Sequence, residues 1–443
     1  MRPLSPIEAT LFTLDRARSL NFAAIASLRG PLSEAALRRG LDAAARRHPM
    51  LRVRIAFSPP EVPAPRFEAE GVGPIPLATM DLDASEAEGL RDVIEAELNT
   101  PIPAAAGPLV RARWVRHGAE AHHLLVTFHH VVGDGLSGVL LLRDILRAAA
   151  AHAVEEPAEA LAKLADVTPL DDRLGEAVRG VGGMWRRAAF MAREVGSALW
   201  SGQPLGVVPE VMAPPHERRV QVHQRVLSAE QVERLRVRAR QERTTIHGAL
   251  SAAMALAIVH ERPRGARGTI ALGSPVNLRD RIVPAPGEAV GLYVGLAEYR
   301  RPHRRHPELW DLARAIRDDL QADLDAGQPE LVLSAMDGLH RALGGLRVAP
   351  ERFGVRYAAL APNTTGLTNL GRLELEATIG EVEVAAIHFA VSPSALGTFV
   401  ATATGWGGGI LWNFCSQAPL MSRARAEALV DAVVERVEAC VRA

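Results

Sequence analysis

The chain has 443 residues, of which 48% are apolar and 23% charged, a composition typical of soluble globular proteins. Its formal net charge is zero, so its overall field gives no reason to expect attraction to nucleic acid or to an anionic membrane. Cys415 and Cys440 form neither a disulfide framework nor a metal motif. Because no signal peptide and no membrane-spanning apolar run is found, we expect a cytoplasmic protein without an integral membrane span.

The first half of the chain alternates strands with capped helices. Capping boxes, in which a serine precedes a glutamate by three residues, predict helix starts at Ser5 and Ser85, and Ser33 begins another helix. Apolar runs predict strands over 21–28, 51–57, 107–115 and 123–128, the last two joined in a hairpin at Gly118, with a Pro-rich loop over 58–65.

The periodic signal weakens between residues 151 and 215. A helix over 180–199 carries Trp185, Phe190 and Met191 among Arg186, Arg187 and other polar residues. Such a stripe is typical either of a membrane-surface helix or of a linker helix that packs on its own domain. We favour the packed linker helix, with a boundary at 202–215.

The second half resumes the alternation of strands and helices. Helix caps are predicted at Ser228, Thr245 and Ser422, and another helix over 307–324. Strands are predicted over 219–227, 269–276, 290–296, 382–389 and 397–414, the last bent into a hairpin at 405–409, and the run 360–370 approaches a loop.

Both halves therefore predict an α/β (α+β) fold of two lobes with mixed sheets. We place an N-terminal lobe at 1–160, a linker or crossover segment at 161–215, and a C-terminal lobe at 216–443. Clefts between lobes are where substrates usually bind.

The most distinctive motif is HHVVGDG at 129–135, between a buried strand and a helix. Side chains alternate along a strand, so only one of His129 and His130 can face a given cavity. A neutral imidazole is a suitable general base, whereas Asp134 is expected to pair with a distant arginine. The glycines allow a sharp turn, which can require positive φ, and the backbone N–H groups of 133–135 are candidate oxyanion donors.

Considered by itself, this motif has two other interpretations. Adjacent histidines with a nearby aspartate could bind a metal, but neighbouring side chains on a strand diverge, so we expect no metal site. A core histidine beside an ordinary Asp-Gly turn is the other alternative.

The motif resembles the HHxxxDG signature of the condensation domains of nonribosomal peptide synthetases. Their superfamily includes chloramphenicol acetyltransferase, wax-ester and diacylglycerol synthases, and mycobacterial polyketide-associated acyltransferases. Further similar motifs follow in the expected order: LSPIE at 4–8, RHPMLR at 47–52, GPLVR at 107–111, NLR at 277–279, VGLYVG at 290–295 and TNLGR at 368–372.

The resemblance implies two chloramphenicol acetyltransferase-like lobes with a tunnel between them. It assigns the catalytic set to His130 as base, Asp134 as a structural partner of Arg279, and Gly135 as the residue that tightens the turn. His129 is expected to support the site. The substrate-tunnel candidates are Gly133, Thr368 and Asn369. The plant-type acidic loop motif is not matched by TGWGG at 404–408, which fits a plain hairpin.

The function implied is acyl transfer from a CoA or carrier-protein thioester to an alcohol, which forms an ester in polyketide or lipid-like natural-product assembly. No cofactor is expected beyond that co-substrate, and the enzyme is expected to stand alone and receive its carrier in trans. The alternatives are amide formation with an amine acceptor, a non-catalytic carrier-docking module, and epimerisation.

Overall fold

The computed structural model describes residues 2–58, 62–83, 89–118, 121–151, 162–164, 168–175, 178, 180–200, 202–263, 266–303, 307–360, 363–394 and 397–442. The capping box predicted at 85–88 lies outside the described residues.

Helices and strands alternate along most of the chain. The helices are α1 (Pro6–Ala17), α2 (Glu34–Arg47), α3 (Gly89–Asn99), α4 (Gly135–Ala150), α5 (Leu170–Arg173), α6 (Gly180–Trp200), α7 (Ala229–Gln241), α8 (Ile246–His260), α9 (Leu309–Asp325), α10 (Gln328–Ala342), α11 (Pro350–Leu360) and α12 (Arg423–Arg442). The strands are β1 (Asn21–Arg29), β2 (Arg54–Ser58), β3 (Val62–Glu68), β4 (Leu77–Asp81), β5 (Val110–His117), β6 (Ala121–His129), β7 (Arg219–Leu227), β8 (Gly268–Asn277), β9 (Val294–His303), β10 (Thr365–Arg372), β11 (Thr378–Ile379), β12 (Val382–Val391), β13 (Phe399–Trp406) and β14 (Gly409–Ala418).

In the described part of the chain these strands form two six-stranded sheets and one small hairpin. The first sheet has the order β11-β12-β1-β6-β5-β4, the second β7-β14-β13-β10-β8-β9, and β2 pairs with β3. Both large sheets mix parallel and antiparallel pairs. The predicted α/β fold with two lobes is therefore confirmed.

Local capping chemistry sets several helix starts as predicted. In α1 the Ser5 side chain accepts a hydrogen bond from the Glu8 amide, and the Glu8 carboxylate accepts one from the Ser5 amide. Ser228 and Gln231 form the same reciprocal box at α7, and Thr245 caps α8. These pairs satisfy amide groups that a helix start leaves without partners.

The second half of the chain is not confined to the second sheet. Strands β11 and β12 lie within the predicted lobe 216–443 but extend the first sheet, because β12 pairs antiparallel with β1. Trp406 also donates its indole N–H to the Val384 carbonyl of β12, at 3.2 Å. Periodicity identifies a strand but not its partner, so this crossover could not be read from the sequence.

Two predictions near the edge of the first lobe need correction. The loop expected over 58–65 contains the start of β3, whose prolines are tolerated in a two-stranded edge hairpin. The strand expected over 51–57 begins only at Arg54, after a 3₁₀ turn.

The second half differs from expectation at three places. The predicted strand 290–296 begins only at Val294, because the preceding residues cross to the first lobe and bond there. The run 360–370 contains β10, a parallel strand between β8 and β13. Helices α10 and α11 were not predicted.

Each lobe has its own apolar core. In the first, side chains of the sheet such as Phe22 and Val126 pack against Leu41 of α2 and Leu142 of α4. In the second, α8 and α12 pack on the sheet through residues that include Met254, Val430 and Phe414.

A buried charged cluster connects α2, α4 and the segment before β9. Asp144 accepts hydrogen bonds from His48 Nε2 at 2.9 Å and from Arg143 at 2.8 Å. The other ring nitrogen of His48 accepts from the Val290 amide at 3.3 Å. Burial alone would raise the pKa of the Asp144 carboxyl, but His48 and Arg143 hold it below its usual value.

We expect Asp144→Ala to lower the free energy of unfolding by about 3–5 kcal/mol, because it removes the buried carboxylate that pairs with His48, Arg47 and Arg143 and leaves only Glu288 to pair with the two arginines. Urea denaturation measures the loss. Glu376→Ala is the control, since Glu376 pairs with Arg147 one turn further along α4 but both are exposed; it should cost less than about 1 kcal/mol. Equal small losses in both variants would show that the buried cluster contributes no more than a surface pair.

Candidate active site

His130 lies at the end of β6, where the chain leaves the first sheet. It begins a 3₁₀ turn over His130–Val132 and so is not the strand residue that the alternation argument assumed. The two histidines nevertheless have separate surroundings. The His130 ring packs edge-on against Phe22, with centroids 5.2 Å apart, and lines a cavity.

The hydrogen bond of His130 fixes which ring nitrogen can act as a base. Its Nδ1 lies 3.0 Å from the Gly133 carbonyl oxygen. A carbonyl oxygen only accepts, so Nδ1 carries the proton and the lone pair of the neutral ring is on Nε2. Burial lowers the pKa of His130 below the usual 6.5, although the bond to Gly133 and the charge of Asp134 oppose this. The ring is therefore neutral near pH 7 and can accept a proton.

His129 is fully buried. Its Nδ1 accepts from the Val131 amide at 3.4 Å, and its Nε2 lies 3.2 Å from the Asp15 carboxylate of α1. The ring also stacks on Phe12, with centroids 6.4 Å apart. These contacts attach the turn at 129–135 to α1, and the supporting role of His129 stays a prediction.

Asp134 holds the turn from both sides. One carboxylate oxygen accepts from the Ser137 amide at 2.8 Å, which makes Asp134 the N-cap of α4. The other accepts from the Tyr293 amide at 2.9 Å, in the second half of the chain. Arg279 lies 3.6 Å from Asp134, so the expected ion pair is present. Asp134 thus positions the turn and does not face the cavity.

Ser137 is a residue of the site that the sequence analysis missed. Its hydroxyl accepts from Arg279 at 2.8 Å and donates to the Gly291 carbonyl at 2.7 Å. The Gly291 amide also approaches this oxygen, at 3.2 Å. Ser137 is the third residue after the N-cap, so recognising Asp134 as a cap would have drawn attention to it.

The glycines of the motif allow close packing, and neither has a positive φ. Gly133 is extended, with φ of −167°, and Gly135 is the first residue of α4. A Cβ on Gly133 would lie 3.2 Å from the Phe128 ring, and one on Gly135 would lie 3.3 Å from Leu370 and Phe389. The expectation of positive φ was wrong; the donation of backbone N–H groups to an oxyanion stays a prediction.

The cavity that His130 lines has a volume of about 410 Å³ and walls from both lobes. Gly273 and Pro275 of β8 and Thr365, Gly366 and Thr368 of β10 come from the second sheet. The chain between β12 and β13 supplies another wall. The remaining lining residues include Leu11, Leu20, Leu296, Ala358, Val391, Ser392, Pro393, Thr398 and Phe399.

Of the three predicted tunnel residues, only Thr368 lines this cavity. Asn369 instead accepts a hydrogen bond from the Gly371 amide at 2.8 Å and shapes the end of β10. Gly133 does not line the cavity, but its carbonyl oxygen accepts the hydrogen bond from His130 Nδ1. Side chains alternate along β10, which explains why adjacent Thr368 and Asn369 do not share a wall.

The cavity lining is free of carboxylates, lysine and arginine among the described residues, and His130 is its one titratable side chain. Anywhere in the described part of the chain, no group of three or more His, Cys, Asp or Glu side chains has an arrangement that could hold a metal ion.

Two family profiles match the chain. The Condensation domain matches residues 3–164, and the phthiocerol/phthiodiolone dimycocerosyl transferase C-terminus matches residues 216–408. The chain belongs to the condensation-domain superfamily of acyltransferases. The turn at 129–135 lies in the first matched region, and Arg279 in the second.

Individual relatives agree with this assignment. Chondramide synthase of Chondromyces crocatus is 28% identical over 284 residues, 60% of this chain, and the match covers 6% of that much longer protein. The fold is similar to that of polyketide synthase associated protein 5 from Mycobacterium tuberculosis, with a TM-score of 0.67, 19% identity, and 99% and 98% of the two chains covered. TRI3 trichothecene 15-O-acetyltransferase from Fusarium sporotrichioides gives a TM-score of 0.72 at 14% identity, with 99% and 95% covered.

The described helices of this superfamily member include none that is both long and apolar enough to cross a bilayer.

We expect Asp134→Asn and Arg279→Gln each to lower the free energy of unfolding by about 3–5 kcal/mol, because each leaves a buried charge without its counter-charge. Combining them should cost clearly less than the sum, since the second change removes the charge that the first left unpaired. Denaturant unfolding of the four proteins measures this coupling. Strictly additive losses would mean that the two side chains act independently.

Proposed function

We propose that this chain transfers an acyl group from a thioester to an alcohol and forms an ester in natural-product assembly. The donor is an acyl-CoA or an acyl group on a phosphopantetheinyl carrier, and no further cofactor takes part. The superfamily assignment supports acyl transfer. Support for an alcohol acceptor comes from the uncharged lining of the cavity around His130.

The geometry suits a reaction in which a single base, His130, takes up one proton and later returns it. In the proposed reaction Nε2 of His130 takes the proton from the acceptor hydroxyl while the oxygen attacks the thioester carbonyl. The tetrahedral intermediate then expels the thiolate, which recovers the proton from the imidazolium and leaves as thiol. The bond between Nδ1 and Gly133 keeps the ring oriented through both transfers.

The charge of the acceptor favours ester over amide formation. A simple alkylamine is an ammonium ion near pH 7, and transferring that charge into an apolar cavity is costly without a carboxylate partner. The described lining offers none. A neutral alcohol avoids this cost, and the threonine and serine hydroxyls of the wall can bond to it.

The first test is thiol release and product mass from a panel of short to long acyl-CoAs with alcohols and amines. We expect ester products, and His130→Ala should lower turnover by roughly a hundredfold or more. His123→Ala is the matched control, since His123 lies on β6, which leads into the turn with His130, but bonds to Ser27, away from the cavity; it should retain turnover.

Equal activity of wild type and His130→Ala would remove His130 as the base. Formation of amide products would show that the acceptor is an amine and not an alcohol. Inactivity with every acyl-CoA calls for the same panel on carrier-bound thioesters, and tight carrier binding without turnover there would favour a docking role.

The pH dependence tests the state of His130 separately. Because its pKa is lowered, the neutral base persists below the usual 6.5, and the acid limb of kcat/KM should have its midpoint below that value. The rate should therefore fall only at more acidic pH, as the ring becomes protonated. A midpoint at or above 6.5 would contradict the lowered pKa.

A further inference from the structure

The cavity beside His130 extends along strand β10. Thr368 lines it near the motif turn, because Leu370, two residues further on, packs beside Gly135 at the start of α4. Asn363, just before β10, also lines the cavity and is exposed, so this outer end opens to solvent. The nearly extended chain between the two ends, from position 363 to position 368, spans roughly 15 Å.

Two glycines lie side by side in the wall of this cavity. Gly273 of β8 and Gly366 of β10 are register partners in neighbouring parallel strands, and both line the cavity. A Cβ on Gly273 would meet only Leu296 at 3.6 Å and Asn363 at 3.8 Å, which are ordinary contact distances. A Cβ on Gly366 would lie 3.3 Å from the Gly273 carbonyl oxygen and meet nothing else within 4 Å. The two Cβ positions therefore have open space in front of them.

The backbone of β8 does not require a glycine at position 273. The φ of Gly273 is not positive, and the ladder between β8 and β9 continues from Gly268 to Asn277 without a register shift. No neighbouring atom would be closer than 3.6 Å to a Cβ there. A glycine inside a regular strand weakens the strand and often marks a place where a ligand approaches the backbone closely. With the other reasons for a glycine excluded, the approach of a ligand is the reason that fits position 273.

The wall around the two glycines is mostly apolar. The Thr365 hydroxyl donates to the Phe399 carbonyl at 3.0 Å, and the Ser392 hydroxyl donates to the Ser19 carbonyl at 2.8 Å, so neither can donate to a ligand. Apolar lining residues include Val207, Leu296 and Ala358. Such a wall suits a hydrocarbon chain, which gains by leaving water. It suits a pantetheine arm less well, because the amide groups of that arm would lose hydrogen bonds to water.

We propose that Gly273 and Gly366 form the bed of a subsite for an extended hydrocarbon chain, which lies along β10 between His130 and the opening at Asn363. The proposal rests on the proposed acyl transfer for what carries the chain, which is either the acyl group or the alcohol. At roughly 1.2 Å per bond, the length of the cavity suits a chain of about twelve carbons. A larger side chain at position 273 would block this path roughly 7 Å from Thr368 and leave room for about six carbons.

The test measures the binding of linear 1-alkanols, from butanol to dodecanol, by isothermal titration calorimetry. No thioester is present, so the result does not depend on turnover. Gly273→Leu fills the bed, and Gly273→Leu/Leu296→Ala returns space by removing the neighbouring side chain. Gly73→Leu is the matched control, because Gly73 is exposed, does not line the cavity, and would also accept a Cβ without any contact within 4 Å.

We expect the affinity of wild type to rise roughly threefold with each added carbon, because each methylene is buried, and to level off near about twelve carbons. In Gly273→Leu the affinity should level off near about six carbons, so that 1-decanol binds more weakly than to wild type by roughly tenfold or more. Gly73→Leu should match wild type, and the double variant should recover part of the lost affinity. Circular dichroism and thermal melting establish that the variants remain folded.

Two binding results would overturn the proposal. Equal affinity of wild type and Gly273→Leu for 1-decanol would show that the chain does not pass the glycines. An affinity of wild type that does not rise with alcohol length would show that the cavity has no hydrocarbon subsite.

A kinetic panel then identifies which substrate carries the chain. Chain length is varied first in the acyl-CoA with a short alcohol, and then in the alcohol with acetyl-CoA. The chain belongs to the substrate whose length dependence is shortened in Gly273→Leu. Absence of thiol release in both arms, and with carrier-bound thioesters, would contradict the proposed acyl transfer, whereas the binding experiment decides the subsite on its own.

Discussion

The turn at 129–135, which carries His130, depends on a hydrogen-bonded link between the two halves of the chain. Asp134 caps α4 with one oxygen and accepts from the Tyr293 amide with the other, while Arg279 bonds to the Ser137 hydroxyl. Each of these groups is buried, so none can exchange its partner for water without cost. The orientation of His130 therefore requires that the first and second halves are folded together.

Two further contacts make the same connection away from the turn. Strand β12, from the second half, pairs along most of β1, and the segment that follows it is fastened by the bond from Ser392 to the Ser19 carbonyl. The Val290 amide reaches His48 in the buried cluster around Asp144. Because the walls of the cavity come from both lobes, these contacts set its shape as well as the stability of the fold.

Patterns within a few residues of sequence identified helix starts and strands, because neighbouring residues determine these features. Serine caps located α1 and α7, and the alternation of apolar residues located β7. The partners of a strand depend on contacts distant in sequence, so the addition of β12 to the first sheet had no local signal. The same limit applies to the site. The motif identified His130 and Asp134, and the resemblance supplied Arg279, but Ser137 and the lining of the cavity depend on how β10 and the β12–β13 connection approach the turn.

Burial of His130, the proposed base, has a second consequence for the chemistry. The apolar surroundings that lower the pKa of His130 keep the imidazole neutral and able to accept a proton. The same surroundings disfavour any other cation, including an ammonium acceptor that has not yet lost its proton. A cavity that offered a carboxylate to bind such an amine would also stabilise the imidazolium and raise the pKa of the base. The uncharged lining therefore supports both a base that acts near neutral pH and an acceptor that arrives without charge.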